Sequence, residues 1–118
     1  MKTQILTKKV KPSDLVLAKQ FANEIRKRLG SEVVSVVLYG SRARGTAKED
    51  SDMDIFILLQ HKPRFNTRAE NIVLDAVVNY LNKYNLYISA VTYGINDYRR
   101  WKNITPVLYW MEKEGIML

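Results

Sequence analysis

Asp52 and Asp54, separated by one methionine at the head of the apolar run MDIFILL, are the carboxylates of this chain best spaced for joint chemistry. On a β-strand, residues two apart project from one face at a separation of roughly 6.5–7 Å along the backbone, so both can converge on one divalent cation. Mg²⁺ takes one or two carboxylates and completes its octahedron with water and substrate phosphates. With ten residues between Ser41 and Asp52, the run VVSVVLY ends abruptly at Gly40-Ser41. A glycine at a strand end lets backbone N–H groups approach phosphate closely, and a helical turn starting there adds the positive end of its dipole. Ser41 offers a hydroxyl, and Arg42 and Arg44 place fixed positive charge within reach. A phosphate-holding turn beside two carboxylates points to metal-assisted chemistry on a nucleotide, in which the metal neutralises a triphosphate and stabilises charge on leaving pyrophosphate. By itself a D-x-D pattern is common and equally describes turn residues at 50–52 followed by an exposed Asp54. The glycine turn is what sets this one apart. Gly40 to Gly45 also has P-loop spacing, but Thr46 stands where that motif requires lysine, which excludes it.

These residues need elements to hold them. Val33 to Tyr39 is rich in β-branched residues and bounded by Gly30 and Gly40, which predicts a central strand. Residues 41–50 are expected to form a short helical turn and then a loop. Met53 to Leu59 is nearly continuous in apolar residues, as in a strand buried on both faces. Before them, Lys11-Pro12-Ser13-Asp14 follows a basic lead-in and reads as a helix start, with Ser13 as N-cap and Asp14 at the positive end. Leu15, Ala18, Phe21, Ala22, Ile25 and Leu29 make its buried stripe, and Gly30 its stop. After a loop from Gln60 to Asn66 that contains Pro63, Thr67 and Glu70 have capping-box spacing. The helix they open carries the inward stripe Ile72, Val73, Ala76, Val77, Tyr80, Leu81 and Tyr84. A third strand is predicted from Leu86 to Tyr93. Asn96 is placed as the cap of a short helix reaching Lys102, and Pro106 opens a last helix that Gly115 follows. The order of elements implies one small α/β (α+β) domain spanning 1–118, a mixed sheet of three or more strands flanked by helices.

Composition narrows the function classes. The chain has no cysteine and one histidine, His61, which excludes disulfides, Cys-type zinc sites and His-based metal clusters and leaves a Ser-His-Asp triad implausible. His61 itself reads as an exposed loop residue. The opening residues lack the apolar core of a signal peptide, and no apolar run reaches the roughly 18 residues of a membrane span. A soluble, cytoplasmic protein is expected. Nineteen basic against twelve acidic residues give a net charge of +7, which favours anionic partners such as nucleotides, RNA or an acidic protein surface. The charges are spread along the chain, as on an ordinary solvated surface. Tyr98, Trp101, Tyr109 and Trp110 suit either a partner-binding patch or the core packing of the final helices. Arg99, Arg100 and Lys102 read as a solvated basic face.

Gly40-Ser41, ten residues, then Asp52-Met53-Asp54 resembles the G-S-x10-D-x-D signature of the DNA polymerase beta-like nucleotidyltransferase superfamily. The string GSRARGTAKEDSDMDIFILL is similar to that of the minimal nucleotidyltransferase domains, small proteins often paired with a HEPN-domain partner. The likeness is specific over 33–59, looser over Leu86–Tyr93, and visible again in the ending Thr105–Leu118 with its Glu114-Gly115-Ile116. The resemblance implies the polymerase beta-like fold and transfer of a nucleoside monophosphate from an NTP, usually ATP, to an acceptor hydroxyl. It assigns the triphosphate to Gly40 and Ser41 and the metal, Mg²⁺, to Asp52 and Asp54. It further implies a hetero-oligomer with a HEPN-type RNase toxin, whose tyrosine the antitoxin AMPylates or which it masks directly. One departure stands out: the superfamily takes a third carboxylate from a later strand, and Ser89 falls at that position. Asp97, Glu70 or a partner residue are the candidate substitutes.

Two functions follow. In the first the protein is a Mg²⁺-dependent nucleotidyltransferase that modifies a protein partner; 118 residues leave no room for a helical acceptor domain, so a macromolecular acceptor is expected to dock from outside. In the second it is a weakly active or inactive binding module that neutralises its partner by occlusion, as Ser89 favours. RNA binding through the basic surface is a third, less favoured reading, which salt dependence would expose.

Overall fold

The computed structural model describes residues 9–62 and 67–118; Pro63 and most of the basic lead-in lie outside the described residues. In chain order the elements are α1 (Pro12–Leu29), a 3₁₀ turn (Gly30–Glu32), β1 (Val33–Tyr39), α2 (Gly40–Arg44), β2 (Met53–Leu59), α3 (Arg68–Tyr84), β3 (Ile88–Gly94), α4 (Ile95–Trp101), α5 (Pro106–Glu114) and β4 (Ile116–Met117). The four strands form one mixed sheet in the order β3-β2-β1-β4, with β1 antiparallel to β2 and β4, and β2 parallel to β3. The expected α/β architecture is therefore present, with β4 added to the three predicted strands.

Strand alternation explains the layers. Successive side chains point to opposite faces, so one face of the sheet carries Val36, Leu38, Met53, Ile55, Ile57 and Ile88, packed on the buried stripes of α1 and α3. Phe21 of α1 meets Tyr80 of α3 edge-on with ring centroids 5.4 Å apart. The other face carries Val37, Tyr39, Phe56 and Leu58, packed with Tyr98, Leu108 and Met111 from the C-terminal helices. Asp54 shares this second face, because it is two residues before Phe56 and pairs directly with Tyr39. β2 is covered on both sides, as its apolar run predicts.

Several boundaries move for identifiable reasons. Lys11, not Ser13, is the N-cap of α1, with Pro12 as the first helical residue, where its missing N–H costs nothing. Asp14 is buried 2.8 Å from Arg42 and does more than complement the helix dipole. Thr67 does cap α3, accepting from the Glu70 N–H. The buried stripe of α3 stops short, since Leu81 and Tyr84 are exposed and the Tyr84 ring rests on Tyr80. Gly94, not Asn96, precedes α4. α5 begins at Pro106 and ends before Gly115 as expected. Among the described residues no helix is long and apolar enough to cross a membrane.

Candidate active site

Gly40 is the hinge of the site. It leaves β1 with φ of +77°, a left-handed conformation that glycine alone adopts freely. A Cβ added at Gly40 would overlap Oδ2 of Asp54, so the turn and the carboxylate are in direct van der Waals contact. Gly40→Ala should therefore cost about 2–3 kcal/mol, combining backbone strain with the forced displacement of Asp54. A urea titration that leaves the unfolding free energy unchanged would contradict this contact. Behind Gly40, α2 runs for five residues and closes on Gly45, which is also left-handed at φ +76°.

Asp52 precedes β2 and is exposed, while Asp54 lies inside the strand and is half-buried. The Asp54 carboxyl is pushed above its ordinary range, chiefly by burial, then by the negative charge of Asp52; Arg44 pulls it down and Glu114 raises it further. Among the described residues no hydrogen-bond donor or cation is paired with either aspartate, so both keep their lone pairs. Two like charges held together, one of them partly desolvated, are a donor set a divalent cation would relieve. The residues fit a metal of the Mg²⁺ kind through two carboxylates; among the described residues no group of three or more acidic or histidine side chains could hold one. The Tyr39 hydroxyl, buried behind Asp54, is pushed up to about 12 by burial and then by the Asp54 charge, so it stays protonated.

The two arginines part company. Arg42 points away from the turn into the base of the loop that leads to Asp52. Its Nη1 donates to Asp14 Oδ1 at 2.8 Å, its Nη2 to the carbonyls of Ser51 at 2.7 Å and Glu49 at 3.1 Å, and its Nε to Ser51 again. With these donors spent and the side chain buried, the expectation that Arg42 contacts phosphate is corrected: it fastens the Gly40 turn to the loop that leads to Asp52. Arg44 stays at the site, 48% exposed, and donates to both oxygens of Glu114 at 2.8 and 2.9 Å. Glu114 Oε1 also accepts the Gly40 N–H at 3.2 Å. Ser41 lies half-buried in the first turn of α2.

Glu114 went unassigned in the sequence, yet a signal existed. A carboxylate on the last residue of a helix faces the negative end of the dipole and needs a compensating cation. Arg44 is that cation. Conversely, Ser89 pairs with Asp54 in the parallel register, which puts a hydroxyl where a third carboxylate was sought. Asp97 and Glu70 do not replace it: Asp97 follows Gly94, which pairs with Leu59 at the far end of β2, and bridges to Lys62 at 3.6 Å, while Glu70 sits in the first turn of α3 beyond that same end. His61 is also at that end, 86% exposed beside Glu32. The aromatics divide, with Tyr98 in the core and Trp101, Tyr109 and Trp110 exposed. Trp110 and Val107 join Tyr39, Gly40, Arg44 and Glu114 around a cleft of about 500 Å³ that opens beside the turn.

Comparison with known proteins follows the same lines. A family model described as a nucleotidyltransferase domain matches residues 18–105. A protein of Methanocaldococcus jannaschii named "Putative protein adenylyltransferase MJ1305" is 28% identical over 89 residues, a stretch covering 75% of this chain and 60% of that relative. The chain thus spans about three-fifths of that protein's length. A second protein of that organism, "Putative protein adenylyltransferase MJ0141", is 31% identical over 77 residues, covering 65% of this chain and 76% of its own. Among solved structures, a toxin-antitoxin crystallised with AMP-PNP superposes with a TM-score of 0.57 at 13% identity, covering 84% of this chain and 70% of that one. A crystal structure from Sulfolobus solfataricus, described as a "putative nucleotidyltransferase", gives 0.53 at 16% identity, covering 89% and 82%. At such identities the structural likeness concerns the fold.

Proposed function

This chain belongs to the nucleotidyltransferase domain family, and from that premise we propose that it transfers AMP from ATP to a hydroxyl on a protein partner, as the antitoxin of a HEPN-type RNase toxin. The observation that carries this reading is the contact between Gly40 and Asp54, which brings a phosphate-accepting turn and a metal-accepting carboxylate to one point. Asp52 and Asp54 would hold Mg²⁺, which when bound neutralises the triphosphate and stabilises charge on the leaving pyrophosphate. The Gly40 turn, Ser41 and Arg44 bind and orient the phosphates. In the transfer the acceptor hydroxyl gives its proton to solvent and its oxygen bonds to the α-phosphorus, as the bond from that phosphorus to the bridging oxygen breaks and pyrophosphate departs with that oxygen. Arg42 keeps the Asp52 loop in register with the turn. The names of the Methanocaldococcus jannaschii relatives support a protein acceptor, and the likeness to a toxin-antitoxin crystallised with AMP-PNP supports a toxin as that acceptor.

The test incubates the protein with ATP labelled at the α-phosphate, Mg²⁺ and the product of the neighbouring gene, followed by intact masses. One or more AMP units should appear on the partner and vanish with Asp52→Asn or Asp54→Asn. A second reading, neutralisation by occlusion, is favoured by Ser89 opposite Asp54. An unmodified partner that both variants still neutralise would establish occlusion in place of transfer.

A further inference from the structure

The groups best suited to hold a triphosphate are already engaged by an anion of the protein itself. The Gly40 N–H and both contacts from Arg44 Nη1 end on the Glu114 carboxylate, at 3.2, 2.8 and 2.9 Å. This is the donor pattern a phosphate oxygen pair would use, a backbone N–H at a left-handed glycine together with a guanidinium. The Glu114 side chain is 15% exposed and is delivered by the last residue of α5. Its backbone is fixed on both sides. The Gly115 N–H donates to the Met111 carbonyl, and the Leu118 N–H to the Val36 carbonyl, each at 2.9 Å.

We propose that Glu114 is a resident anion of the phosphate seat, which an incoming metal-complexed polyphosphate must displace, and that it thereby sets the selectivity of the site. The inference rests on reading Gly40 to Arg44 as the phosphate seat. Displacement costs least on the Arg44 side, because the Arg44 side chain is 48% exposed and ion pairs open to solvent are weakly stabilising. Each hydrogen bond lost by Glu114 is remade with a phosphate oxygen. The charge balance is not remade, since the displaced carboxylate stays near Asp54, which touches the same glycine that Glu114 bonds. An anion arriving without a cation therefore meets three carboxylates. One complexed with a divalent metal brings the charge that offsets them.

Glu114→Gln isolates the charge, as the amide keeps the shape and can still accept the Gly40 N–H. Titration calorimetry with ATP and with tripolyphosphate, each with Mg²⁺, should show binding about fivefold tighter in Glu114→Gln than in the unsubstituted chain. The gain should be larger for the same anions without Mg²⁺. Equal or weaker binding in Glu114→Gln overturns the proposal, because a carboxylate that merely positions Arg44 would be missed. Failure of both chains to bind either anion overturns it as well. Should the variant not fold, the unsubstituted chain decides: the Gly40 amide resonance must move as ATP–Mg²⁺ saturates, and an unmoved resonance overturns the proposal. Tighter binding in the variant with no AMP on the partner leaves this inference standing and removes the transferase reading.

Discussion

Asp54→Asn should lose AMP transfer by roughly 10²–10³-fold or more, the scale of removing one electrostatic group at a reacting centre, while the fold becomes more stable. The opposition follows from the position of Asp54. Burial, Asp52 and Glu114 all disfavour its charged form, and Arg44 offsets them only in part. With the folded pKa above the unfolded one, the folded chain holds more protons between the two values. Stability is therefore greatest below the unfolded pKa, falls as pH rises through the window up to the folded pKa, and stays lower at neutral pH. Asparagine removes that term, so the urea midpoint of the variant should rise at neutral pH and lose this part of its pH slope. Added Mg²⁺ should raise the melting temperature of the unsubstituted protein and not that of the variant, because only a ligand that binds the folded state stabilises it. A variant that loses both activity and stability would show that Asp54 is structural.

Arg42→Met carries the largest expected loss of stability, about 3–5 kcal/mol, since it strands Asp14 as an unpaired buried charge. The Arg42 and Asp14 side chains are 10% and 8% exposed, and Asp14 Oδ2 already lacks a partner among the described residues. Adding Asp14→Leu should restore most of the loss, because replacing a whole buried pair by apolar groups is often nearly neutral. A double-mutant cycle by urea denaturation measures the coupling, and additive losses would contradict a direct pair. The restored double variant should still transfer AMP poorly. It regains the core but not the bonds to the Ser51 and Glu49 carbonyls that hold the approach to Asp52.

What could be read from the sequence was what depends on local pattern. β-Branched runs marked β1 and β2, the Pro106 and Gly115 pair bounded α5, and Thr67 marked the entry to α3. The Gly40 turn and the Asp52-x-Asp54 spacing marked the two segments that the β1–β2 pairing brings into contact at the candidate site. What escaped depends on contacts distant along the chain. Arg42 and Arg44 are alike in the string GSRAR, but they lie on different sides of α2, so one meets Asp14 and the other Glu114. β4 has two residues, too few for any period, and exists because the β1 edge is open beside it. Ser89, assigned through the family resemblance to the position of the third carboxylate, lies beside Asp54 by a parallel register that the sequence pattern alone does not specify.

The separations along the chain have a thermodynamic meaning. Gly40 and Asp54 are fourteen residues apart, and Gly40 and Glu114 are 74 apart. Closing the longer loop costs about 1.5 kcal/mol more in chain entropy. Any loosening of the C-terminal segment therefore frees Glu114 first and leaves the turn and the carboxylate in contact. The reactive hairpin is tethered locally, and the charge that rests on it is held from afar.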